Sequence, residues 1–188
     1  MDEIKILFFA LGSFFGIDDA RITADKTTVI IYPMYREITI TQEDLFASIQ
    51  SESDEKLVLE QWVKIYNWKE KNMAWAEELD NFIFKDCTLT PVKMTTQSHL
   101  VLIRPHITLK YSQEKDLASM GIWFNADENS FYLNNIPEFN IQSDNGKLEG
   151  NYWVFSADDR ISFTIEPYLK KTGKFDNSRI PLKKLVRK

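Results

Sequence analysis

Apolar and polar positions along this 188-residue chain follow two periods, and the change from one to the other falls near residue 81. In the segment IKILFFALGSFFG, Ile4, Leu7, Phe8, Leu11 and Phe15 recur at helical spacing, which predicts a buried N-terminal helix. A strand over residues 5–10 is the alternative. The run is shorter than the roughly 20 residues that span a bilayer, and Asp2 and Glu3 precede it where a secretory segment carries positive charge. Neither an anchor nor a leader is expected.

The β-branched stretches TTVIIY (27–32) and REITIT (36–41) flank Pro33-Met34-Tyr35 and predict a hairpin. Thr41 followed by Asp44 reads as a helix start, with a short helix expected to about Ser51. The strongest helical signal covers about 54–80, where Val58, Trp62, Ile65, Tyr66, Met73, Ala76 and Leu79 share one broad face, with Asn72 as a candidate break. Trp62, Trp68 and Trp75 lie within it. An aromatic platform for a partner is one use of them, and wedging under the sheet is the commoner one.

After residue 81 the texture is β. Apolar runs at 82–89, 100–111, 121–124, 131–136, 152–155 and 161–168 alternate with turn-forming clusters. Residues 125–129 and 156–160 read as hairpin loops, and Asn145-Gly146 as a pair suited to positive φ. Helices in the first half and sequential strands in the second predict an α+β fold, one long helix packed on an antiparallel meander formed mainly by residues 82–168. A single domain over 1–188 with a basic tail at 170–188 is the simplest organisation.

Composition supports a folded body: 44% of residues are apolar and 13% aromatic, enough to bury one core. One cysteine excludes an internal disulfide, and no Asn-x-Ser/Thr acceptor occurs. Both fit a cytoplasmic protein.

Charge adds a second division. Residues 1–169 carry 15 Lys+Arg against 27 Asp+Glu, a net of −12, whereas residues 170–188 carry 8 against 1. An acidic body repels nucleic acid and anionic membrane and attracts cationic partners. The tail places Lys170, Lys171, Lys174, Arg179, Lys183, Lys184, Arg187 and Lys188 among Phe175, Ile180, Leu182, Leu185 and Val186. It could meet a polyanion. Folding back on the acidic body is the simpler use.

Candidate chemistry is sparse. His99 and His106, seven residues apart on one strand, face opposite sides and form no zinc spacing with Cys87. No signature of a nucleophilic thiol surrounds Cys87, and there is neither a Gly-x-Ser-x-Gly elbow nor a phosphate loop. The pairs Asp18-Asp19, Glu77-Glu78 and Asp158-Asp159 read as solvated carboxylates rather than an acid–base pair. No catalytic residue, metal site or cofactor is therefore expected. The reading that follows is a non-catalytic binding module that docks a basic protein, for example an inhibitor or a toxin-neutralising immunity protein. Its candidate contacts are Glu52, Asp54, Glu55, Glu77, Glu78, Asp80, Asp127, Glu128, Asp158 and Asp159. A small-molecule carrier with an aromatic pocket between sheet and helix is the alternative, and an enzyme without a recognisable motif the second.

Overall fold

Strict alternation of buried and half-buried residues marks the centre of the structure. A computed structural model describes residues 10–71, 73, 76–93, 101–136, 139–167 and 178–186. β2 (Lys26–Tyr32) and β3 (Glu37–Glu43) each alternate between buried and half-buried residues, and they pair antiparallel across a 3-10 turn at Pro33–Tyr35. The hairpin is the one the β-branched stretches predict. The expected helix from Thr41 does not form: pairing of Lys26 with Glu43 keeps β3 extended, Asp44 takes a left-handed φ of 52°, and β4 (Phe46–Ser48) follows. Cross-strand pairing here outweighs a capping signal with no amphipathic turn behind it.

The N-terminal helical stretch appears as a 3-10 helix at Leu11–Phe15, closed by Gly16 at φ 60°, while Ala10 bridges Thr23 of β1 (Ile22–Thr23). Residues 4–9 of that expectation lie outside the described set. Helix α1 spans Glu52–Tyr66 rather than 54–80. Asn67 ends it: its backbone N–H and its side-chain amide both donate to the Val63 carbonyl, at 3.2 and 3.0 Å. Val58, Trp62 and Ile65 are buried as the periodicity requires, but Tyr66 is 61% exposed.

Antiparallel strands dominate the rest, as the second-half texture predicts. β5 (Phe82–Lys93), β6 (Val101–Tyr111), β12 (Ile161–Pro167) and β9 (Phe139–Gln142) join the hairpin in a six-stranded sheet ordered β5-β6-β3-β2-β12-β9. β7 (Ile122–Asn125), β8 (Ser130–Asn134), β10 (Lys147–Glu149) and β11 (Tyr152–Ser156) make a four-stranded sheet ordered β10-β11-β8-β7. β13 (Arg179–Pro181) adds to β1 and β4 in a three-stranded sheet and leads into α2 (Leu182–Leu185).

The fold is α+β, but its strands are no simple meander of 82–168. The N-terminal hairpin sits in the middle of the large sheet, and the main neighbours of α1 are β1 and the 3-10 helix. A buried amide fastens α1 there. Gln61 accepts from the Arg21 backbone N–H at 2.9 Å and donates to the Asp19 carbonyl at 3.0 Å. Phe155 of β11 and Phe163 of β12, with ring centroids 6.1 Å apart, bring the four- and six-stranded sheets into one apolar cluster.

The other face of the six-stranded sheet is polar. Thr88, His106, Thr41, Thr28, Thr164 and Gln142 form one cross-strand row over all six strands, with Thr41 Oγ1 and His106 Nδ1 2.9 Å apart. Ion pairs Arg104–Glu43 and Lys110–Glu37 flank that row. A one-sided sheet of this kind turns most of its aliphatic residues inward and most of its threonines outward; Thr27, fully buried, and Ile30, on the polar face, are exceptions.

Candidate functional site

One expected hairpin loop, at 156–160, is in fact a corner between sheets, and the Asn-Gly segment at 143–146 is another. Residues 157–160 connect β11 to β12, and residues 143–146 connect β9 to β10; in each case the flanking strands belong to different sheets. Only the turn at 126–129 joins paired strands, β7 and β8.

Register brings all three to one end of the molecule. Ser156 pairs with Ser130, so the turn entering β8 and the corner leaving β11 emerge side by side. The Asn129 side-chain amide donates to Asp158 Oδ1 at 3.0 Å, and the Ala157 N–H donates to the Asn129 carbonyl at 2.9 Å. The second corner is tied in by Asn145, whose amide donates to the Arg160 carbonyl and whose oxygen accepts from the Ser162 N–H at 3.2 Å. The Ser143 hydroxyl donates to the Ser162 carbonyl at 2.6 Å and accepts from Gly146 N–H at 2.8 Å.

Asp127, Glu128, Asp158 and Asp159 thereby share one surface with Asp144, and all five are exposed. Arg160 is the one cation within the three loops. Glu128 also accepts from the Tyr132 hydroxyl, and this bond to a carboxylate holds the phenol above its ordinary pKa.

The remaining predicted contacts are elsewhere. Asp54 is part of the helix cap: it accepts from Gln50 N–H at 3.0 Å, its own N–H donates to Ser51 Oγ at 3.2 Å, and Arg21 lies 3.6 Å away. The bond from Gln50 and then the Ser51 hydroxyl hold its carboxyl below the usual range. Glu52 and Glu55 line a groove along α1 of about 760 Å³, with Leu59 and Val63 between them and Lys64. Glu77 and Asp80 are exposed around the 3-10 turn at Glu77–Leu79, and the side chain of Glu78 lies outside the described set.

Sequence reasoning passed over a second concavity. A cavity of about 330 Å³ opens between the three-stranded sheet, α2 and Ile103 of β6, with Phe46, Leu182, Asp25, Asp44, Arg179 and Lys183 among its lining. The described part of the basic tail thus folds back on the body: β13 pairs with β4, Leu182 and Leu185 are buried, and Arg179 forms an ion pair with Asp25 while its guanidinium stacks 3.6 Å from the Phe46 ring centroid. Residues 170–177, 187 and 188 lie outside the described set. Phe46 is the one aromatic residue in the lining of these two concavities.

The tryptophans are core elements where described. Trp62 is buried, and Trp68 packs against Phe15 and Phe84 and donates to the Cys87 carbonyl at 3.3 Å; Trp75 is outside the described residues. Cys87 is buried, and desolvation, with Asp86 adding repulsion, pushes its thiol up to about 12. His106 is exposed on β6 and His99 lies outside the described set. Among the described residues no three His, Cys, Asp or Glu side chains are grouped to hold a metal ion, and no helix is long and apolar enough to cross a membrane. The chain matches no protein-family model, no curated protein and no solved structure.

Proposed function

We propose that this protein is a non-catalytic binding module that docks a basic protein partner on the acidic end formed by the 126–129 turn and the two inter-sheet corners. The observation that carries the reading is the Asn129–Asp158 hydrogen bond, which joins residues 29 apart in the chain and gathers four of the sequence-selected carboxylates. Carboxylates held on one face sum their fields, raising the encounter rate of a cationic partner and setting its orientation. The same field, with a body of net charge −12, opposes nucleic acid and anionic lipid. An inhibitor or immunity protein covering a cationic active site is the concrete form this docking takes.

Comparative affinity capture tests it. Wild-type protein and a variant carrying Asp127→Asn, Glu128→Gln, Asp158→Asn and Asp159→Asn are used as bait at low salt and at about 0.5 M salt, where the Debye length falls to a few ångström. A stoichiometric basic protein held by wild type, weakened by salt and lost from the variant supports the reading. Recovery of the same proteins by both baits overturns it.

A further inference from the structure

We infer that the cavity beneath the C-terminal strap is a binding site for a small zwitterion with an apolar body, of the chemical class of an apolar α-amino acid. The cavity of about 330 Å³ lies at the lower end of the roughly 300–1,000 Å³ typical of ligand sites, which suits one amino acid and not a nucleotide. Its lining combines two cations, Arg179 and Lys183, two carboxylates, Asp25 and Asp44, and apolar surface that includes Phe46 and Leu182.

These charges are not all spent on one another. Asp25 engages one Nη of Arg179, and the Phe46 ring supports the face of the guanidinium, so the group is held in place with its other N–H donors unassigned. Among the described residues Lys183 and Asp44 have no ion-pair partner. A ligand carboxylate answers Lys183 and the free edge of Arg179, a ligand ammonium answers Asp44, and the side chain takes the apolar wall. A ligand of one sign leaves one of these groups facing a like charge or nothing. Asp44 holds its place at φ 52°, a conformation a non-glycine residue adopts at some cost, as residues at binding sites commonly do.

Titration calorimetry and thermal shift on the full chain decide the matter, with leucine, methionine and phenylalanine compared with N-acetyl-leucine and leucinamide. At least one amino acid is expected to bind saturably and raise the melting temperature, with the blocked forms weaker by about tenfold or more. Lys183→Ala and Asp44→Asn remove charges that support no described contact. Each should keep the unliganded melting temperature near wild type and weaken binding by a similar factor. Failure of all three amino acids to bind at about 10 mM, blocked forms binding as well as free ones, or variants with unchanged affinity each overturn the proposal.

Discussion

Asn129 and Asp158 meet across 3.0 Å, joining a hairpin turn of the four-stranded sheet to a corner that leads out of it. Asn129 also sits at φ 47°, which asparagine tolerates better than most residues. Asn129→Gly should relax the backbone while losing the side-chain bond, and Asn129→Ala should lose both advantages. Alanine is expected to be less stable than glycine by about 1 kcal/mol in denaturant titration. Equal stability of the two variants would show that the backbone conformation carries no cost.

Gly146 has an ordinary φ, contrary to the positive φ its Asn-Gly context suggested; its need is space. A Cβ there would stand 2.5 Å from the Phe155 ring and 3.0 Å from Ser143 Oγ. Phe155 is 2% exposed and cannot swing into solvent without opening the core. Gly146→Ala should therefore destabilise by about 1–3 kcal/mol, the range of overpacked core sites. Urea unfolding of the two proteins measures the difference.

The cap of α1 predicts an acid limit. The Asp54 carboxyl is held below its ordinary 3.8, so its contribution is present above that pH and lost as pH falls through the lower folded value. Asp54→Asn should flatten the stability curve below about pH 4, while Ser51→Ala should cost about 1 kcal/mol at neutral pH through loss of the cap. Thermal melts between pH 2.5 and 7 test both.

The alkaline side is governed by burial. The folded state keeps the Cys87 thiol protonated up to about 12, and the buried Tyr111 phenol is likewise pushed up to about 12, first by desolvation and then by Glu114. An unfolded chain releases these protons at about 9.0 and 10.0, so the contribution of these two groups to stability is full below about pH 9 and declines as pH rises toward 12. Cys87→Ala should lessen that decline, whatever its cost at pH 7. In the native protein Cys87 should react with a thiol reagent only as fast as the structure opens.

How much of this was legible in advance depends on the range of the interaction. The β2–β3 hairpin, the buried stripe Val58, Trp62 and Ile65, and the antiparallel strands after residue 81 follow from local periodicity, because a side chain's face is set by its own backbone period. Asp127, Glu128, Asp158 and Asp159 were legible as turn carboxylates.

Their meeting was not, nor was the end of α1 at Tyr66, the extended course of β3 beyond Thr41, or the strap that puts Arg179 on Phe46. Each depends on contacts between residues far apart in the chain, such as Ser130 with Ser156 or Arg179 with Asp25, and no period within one segment encodes which distant segment it pairs with. Sequence by itself determined an acidic α+β chain with a β-branched hairpin in its N-terminal part. Tertiary structure decided which loops share an end and which charges share a cavity, because only strand pairing and core packing convert residues distant in sequence into neighbours.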